Sequence, residues 1–335
     1  MRRFLLSVLL LLSSAVASLA ETPGSPPVQG PAAEPLAHKR VLVLGDSITQ
    51  DGRYVTFLEY YLDRLSPGAK CDLISIGLSS ETVSGLSEAT EAVRRPCVLE
   101  RLDRALLAVK PQFVLACYGM NDGTYRPTNP EILAAFNGGL HQLIAKVRAA
   151  GAILVLVTPP IFDPLPIRAR TVEARDGAFG YAHPFAGYDG ALGELGAAEL
   201  GLREAGVSVI DLHTPMAEAL AAHRRRDPAF TFSPDGVHPG ELGHLTMARI
   251  IGTGLGLPLP TGEPEAELAR IQADPLFALV SERRRLRSEA WLPFVGYTRG
   301  ETYKSAEVGA AEQVVARLQR EIEVLATTPA AAVKR

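Results

Sequence analysis

The sequence predicts an α/β chain whose five-stranded parallel sheet is covered by helices on both faces. Three observations predict it. Short apolar runs alternate with stretches of helical apolar spacing, and strands separated by helices imply a parallel sheet with both faces covered. At 335 residues and 47% hydrophobic composition, the chain is long and apolar enough for one large domain or two small ones. Of the short polar words, those bearing Ser47 and Asn121, like the Ser79–Ser80 turn, fall just past the ends of apolar runs, where function gathers in such sheets.

The elements follow in order. Residues 1–20 pair a basic start, Met1-Arg2-Arg3, with the apolar run Phe4–Leu12 and the small-residue end Ser18-Leu19-Ala20, which predicts a secretory signal cleaved after Ala20. The run is short for a spanning helix, and no cysteine stands at the break to carry a lipid. A secreted or periplasmic protein with no membrane insertion after signal removal is expected. Residues 21–38 are rich in Pro, Gly and Ala without apolar period, and read as a tether. A main domain over 39–260 is expected next, with strands at Val41–Leu44, Asp72–Ile76, Phe113–Tyr118, Ile153–Val157 and Val207–Leu212. Helical spacing links Val55, Leu58, Leu62 and Leu65, then Leu99, Leu102, Leu106 and Val109, then Ile132, Phe136, Leu140, Leu143 and Val147.

The stretch Pro159–Gly190 carries prolines and aromatics together and is expected to be an ordered loop overhanging the strand ends. Its rings Phe179, Tyr181 and Tyr188 are the predicted substrate contacts; packing of the loop onto the domain is the plainer reading. Residues 261–335 form a helical extension, expected to pack on the core, with helices over Glu265–Arg287, broken or kinked at Pro275, and Val308–Leu325. The cluster Arg283-Arg284-Arg285 with Arg287 reads as a solvated face.

Loss of the signal removes two arginines and no acid from 34 basic and 37 acidic residues, leaving a net charge near −5. Such a surface does not suit nucleic acid or anionic membranes. Of the three cysteines, Cys117 lies within a strand run, while Cys71 and Cys97 are either a disulfide or two buried thiols; none has metal-ligand spacing. No cofactor or metal is expected.

The three polar words are Gly45-Asp46-Ser47, Gly119-Met120-Asn121-Asp122 and Asp235-Gly236-Val237-His238. Ser47 follows the first apolar run, so its hydroxyl and amide both face out at a strand's carboxyl end. Asp235 and His238 stand three apart, a spacing that puts both on one side of a helical turn and lets the carboxylate orient the imidazole. His238 precedes Pro239 and suits the first turn of a helix over Glu241–Ile250. Asn121 supplies a side-chain amide. Nucleophile, base, orienter and oxyanion donor are the parts of acyl transfer. The plainer readings are a capping serine, a turn asparagine and a surface histidine.

With these blocks in this order, Arg40 to Leu255 resembles the SGNH hydrolases, also called GDSL esterases and lipases. The resemblance implies a flavodoxin-like α/β/α sandwich and a Ser47–His238–Asp235 triad. The oxyanion donors it implies are the amides of Ser47 and Ser80, with the Asn121 side chain. The family's glycine aligns with Ser80, or with Ser79 if the turn differs by one residue; a serine there requires φ below zero or some strain. Asp46 and Asp122 read as structural acids. His183 lies in the aromatic loop and the other histidines show no catalytic pattern. The expected activity is hydrolysis of a carboxylic ester on a small molecule or polysaccharide, with acetylated carbohydrate favoured. A lipase or lysophospholipase, and a non-catalytic carbohydrate-binding protein, are the alternatives. The oligomeric state is left open.

Overall fold

A computed structural model describes residues 36–89, 93–299, 301–303 and 307–328. The expected signal, and residues 21–35 of the tether, lie outside the described residues. The chain runs β1 (Arg40–Gly45), α1 (Ser47–Asp51), α2 (Arg53–Leu65), β2 (Asp72–Ser75), α3 (Leu102–Val109), β3 (Phe113–Cys117), α4 (Pro130–Ala149), β4 (Ile153–Val157), α5 (Tyr188–Gly201), β5 (Ser208–Ile210), α6 (His213–Arg224) and α7 (Glu241–Gly254). It continues through α8 (Pro264–Gln272), α9 (Pro275–Val295), the hairpin β6 (Thr298–Arg299) and β7 (Glu301–Thr302), and α10 (Gly309–Thr327).

The five main strands form one parallel sheet in the order β2-β1-β3-β4-β5. Their side chains are buried almost throughout, from Val41–Leu44 to Val155–Val157, because helices cover both faces. Packing contacts join α2, α7 and α9 on one side and α3, α4 and α5 on the other, giving the three-layer α/β/α sandwich. The chain leaves β1 to build β2 on one flank and then returns to build β3 on the other. The strand order therefore reverses between β1 and β3, and a crevice opens at their carboxyl ends. Ser47 sits at that point.

The turn after β1 is tight. Asp46 caps α1 by accepting from the Ile48 amide at 3.0 Å, as expected of a helix-start acid. Gly45 is required there, since a Cβ would collide with the Thr49 side chain and come within 2.8 Å of the Cys117 carbonyl. Gly52, at φ 71, ends α1 and lets α2 start at once.

The extension docks on the domain. Pro275 opens α9 instead of kinking one long helix, with Asp274 capping the Leu276 amide at 3.0 Å. The arginine cluster departs from its expected solvated face: of the four, only Arg285 is exposed. Arg283 donates to Glu59 at 2.7 Å and to Asp63 at 2.9 Å on α2. Arg287 reaches Glu312 at 2.9 Å and the Leu73 carbonyl at 3.1 Å on β2. These arginines pin α9 to the sheet's flank, because their acidic partners lie on α2, β2 and α10, outside the helix's own sequence. Cys71, Cys97 and Cys117 are all free thiols, which settles the open alternative for the first two. No described helix is long and apolar enough to cross a membrane.

Candidate active site

The loop before α7 carries Asp235 and His238. Asp235 Oδ1 accepts from the Val237 amide at 2.9 Å and the His238 amide at 2.7 Å, and Gly236 takes φ 83. The three-residue spacing is thus closed by a side-chain-capped turn and not by a helical one. His238 lies ahead of α7, whose cap is Gly240, not in its first turn. The other carboxylate oxygen, Oδ2, meets His238 Nδ1 at 2.7 Å, and His238 Nε2 meets Ser47 Oγ at 2.8 Å. The chain separates those last two residues by 191 positions.

Electrostatics follow from the contacts. The hydrogen bond to Asp235 raises the His238 pKa above its ordinary value, against the opposing effect of burial. Burial alone would raise Asp235, but hydrogen bonds from the His238 ring, then from the His238 and Val237 amides, hold it well below the usual carboxylate range. Asp46 is different: burial pushes it up to about 7.

Ser79, Ser80 and Asn121 line the same cleft as Ser47. The Ser79 amide is occupied, donating to Gln50 Oε1 at 2.6 Å. The amides of Ser47 and Ser80 have no acceptor among the described residues. Ser80 takes φ 67, so the strained alternative expected of a serine in a glycine's place is the one adopted. Asn121 Nδ2 makes two long contacts, 3.2 Å to the Glu81 carbonyl and 3.4 Å to Asp46 Oδ2.

The orientation of that amide is fixed by a residue to which no sequence signal pointed. Arg95 Nη1 donates to Asn121 Oδ1 at 3.0 Å, and the Tyr125 hydroxyl donates to the same oxygen at 3.2 Å. A guanidinium only donates, so the oxygen of Asn121 must face it and the NH2 must face away. Arg95 is itself clamped by Glu88 at 2.5 and 2.6 Å, and lies over the Tyr125 ring at 5.5 Å. Arg95 stands in an aperiodic loop, where nothing local marks an arginine as buried. Asp122 behaves as a loop-stabilising acid: it accepts from the amides of Val83, Ser84 and Gly119 at 2.8 to 2.9 Å.

The loop aromatics separate. Tyr181 borders the Ser47 cleft, 38% exposed, with its hydroxyl 3.3 Å from Asp235 Oδ2. Tyr188 is a correction: it has 0% exposure, stacks on Tyr125 and donates to the Met120 carbonyl at 2.8 Å. It opens α5 and packs the core, where no substrate reaches. Phe179 is half-buried and does not line the Ser47 cleft: it packs edge-on against Phe185 in a separate depression with Glu88 and Arg126. His183 is exposed and does not line the cleft.

The cleft holding Ser47, His238 and Asn121 encloses about 350 Å³. A larger apolar cleft of about 800 Å³ runs along the edge strand β5, but no nucleophile–base pair lines it.

The fold is that of the SGNH acylhydrolases. A model of the GDSL-like Lipase/Acylhydrolase family matches residues 43–245, and the chain belongs to that family. Among solved structures, it is similar to a gut microbial diltiazem-metabolizing enzyme at 19% identity and TM-score 0.50. That match covers 65% of this chain and 47% of the other, so the chain spans about half the length of that enzyme. It is also similar to an acetylxylan esterase from Geobacillus stearothermophilus at 20% identity and TM-score 0.48, over 68% of this chain and 98% of that one. At these identities the likeness is one of fold. No curated protein matches.

Proposed function

We propose that the protein is a serine esterase that removes short acyl groups, acetyl above all, from carbohydrate. One observation carries the reading: Ser47 Oγ, His238 and Asp235 form a continuous hydrogen-bonded line with links of 2.8 and 2.7 Å. Ser47 Oγ attacks the ester carbonyl carbon as its proton passes to His238 Nε2, and the amides of Ser47 and Ser80, with Asn121, receive the developing oxyanion. The carbon–oxygen bond to the alcohol then breaks, and the alcohol leaves with the proton held by His238. Water repeats the sequence on the acyl-serine and releases the acid. Asp235 keeps the imidazole in the tautomer with hydrogen on Nδ1.

The cleft of about 350 Å³, with polar and charged walls, favours a short acyl group over a lipid chain. The exposed face of Tyr181 offers a platform for a sugar ring. Ser47 and His238 held out of reach of one another would support the non-catalytic alternative; their hydrogen-bond contact favours the catalytic reading. The amino-terminal segment is read as an export signal, so the enzyme is proposed to act outside the cytoplasm.

The test is hydrolysis of 4-nitrophenyl esters of rising acyl length by the wild type and Ser47→Ala. Activity should be highest with acetate and fall with chain length, and Ser47→Ala should lose nearly all of it while melting at the wild-type temperature. A substantial residual rate in Ser47→Ala would reject the nucleophile, and a preference for long chains would favour the lipase reading.

A further inference from the structure

The mouth of the Ser47 cleft is rimmed by guanidinium groups from two distant parts of the chain. Arg94 and Arg95 come from the loop after β2, and Arg299 comes from β6 of the extension. Arg95 is already engaged by Glu88 and Asn121. Among the described residues, the other two meet no neutralising side chain. Arg94 Nη2 donates to the Gly85 carbonyl at 2.9 Å, and Arg299 Nη2 lies 3.5 Å from Ser80 Oγ. Neither has a carboxylate partner among the described residues, and both are exposed.

The chain as a whole carries 37 acidic and 34 basic residues, yet no acidic side chain lines this cleft among the described residues. A neutral acetyl sugar can accept hydrogen bonds from such a rim but leaves the rim's charge unmatched. A solvated arginine on a surface is unremarkable by itself; two unpaired ones, brought to one cleft from different elements, are a site. The planar fork of a guanidinium matches a carboxylate or sulfate with two parallel hydrogen bonds.

We infer that this rim binds an anionic group, a carboxylate or a sulfate, on the saccharide that bears the scissile ester. The inference rests on the esterase reading above and specifies its substrate. Arg299 contacts Ser80, whose unclaimed amide belongs to the same turn, so the anion falls on the acylated sugar or its neighbour. The extension thereby supplies a specificity residue to a catalytic domain that ends before it.

Calorimetry on full-length Ser47→Ala tests this with tetragalacturonate, a sulfated galactose tetrasaccharide and neutral xylotetraose. At least one anionic ligand should bind about tenfold or more tighter than xylotetraose, a margin of about 1.4 kcal/mol. The margin should shrink with added salt and vanish when Arg94→Ala and Arg299→Ala are added. Arg299→Lys, which keeps the charge and loses the fork, should retain part of it. Tighter binding of tetragalacturonate identifies a carboxylate, and tighter binding of the sulfated ligand identifies a sulfate. Equal binding of all three ligands, no binding of either anion, or a preference that survives loss of both arginines overturns the inference. Wild-type hydrolysis of 4-nitrophenyl acetate is measured in parallel. Its absence rejects the esterase reading and leaves the binding result standing.

Discussion

At the scale of single residues, the site makes three commitments that measurement can check. As the base of the proposed esterase, His238 would work only when neutral, and its bond to Asp235 raises its pKa. The rate should therefore fall as pH drops through a value above about 6.5, and Asp235→Asn should move that limb to lower pH while slowing the enzyme by up to about 10⁴-fold. A kcat/KM profile flat from about pH 5 to 8 would exclude a histidine base. Arg95 is a positioning residue, so Arg95→Met should lower kcat with little change in KM for 4-nitrophenyl acetate, by no more than the roughly 10²–10³-fold that an oxyanion donor contributes. An unchanged pH limb separates this from damage to His238. Ser80 holds φ 67, a conformation a β-branched residue resists. Ser80→Val should thus be less stable than Ser80→Gly by about 1–2 kcal/mol in urea titrations, and equal stabilities would show that the turn carries no strain. Of these residues, Ser47, Asn121, Asp235 and His238 were legible because each sits in a short word with a fixed order. Arg95 was not, because its role depends on Glu88 and Tyr125 meeting it in space.

Among the elements, the strands were the most legible part of the chain. Burial on both faces makes them apolar throughout, so runs such as Phe113–Cys117 announce themselves without any need for register. Proline marked the break between α8 and α9 in the same direct way. The failures share one cause. Tyr188 and the α9 arginines were assigned by local composition, whereas their burial is decided by partners far along the chain: Tyr125 and Met120 for the one, Glu59, Asp63 and Glu312 for the others. The Asp235–His238 turn was misread as helical because a spacing of three suits both a helix and a capped turn. The α9 ion pairs carry a prediction of their own. Arg283→Met leaves Glu59 and Asp63 buried without a counter-charge and should cost about 3–5 kcal/mol in denaturant unfolding. The triple change Arg283→Met, Glu59→Gln, Asp63→Asn should recover much of that loss, and failure to recover would mean the arginine's packing, not its charge, is what matters.

Across the whole molecule, the extension and the sandwich share one buried surface, since Phe57 and Tyr60 of α2 pack against Phe277 of α9. A chain cut after Gly262 would expose those rings and the acids that Arg283 covers, so it should aggregate or melt well below the full-length protein in scanning calorimetry; a soluble truncation with an unchanged melting temperature would show that the sandwich stands alone. Ser47 opens α1, just past the first strand of the sheet, and His238 lies in the last loop before α7, a separation of 191 residues spanned by a 2.8 Å bond. Between them the chain must complete every strand in turn. The Ser47–His238 contact therefore cannot form before those strands are in place, and activity is a late marker of folding. During refolding, compaction and secondary structure should return before any ester is cleaved, and a nascent chain should stay chemically silent until the segment bearing His238 is free to fold back onto Ser47.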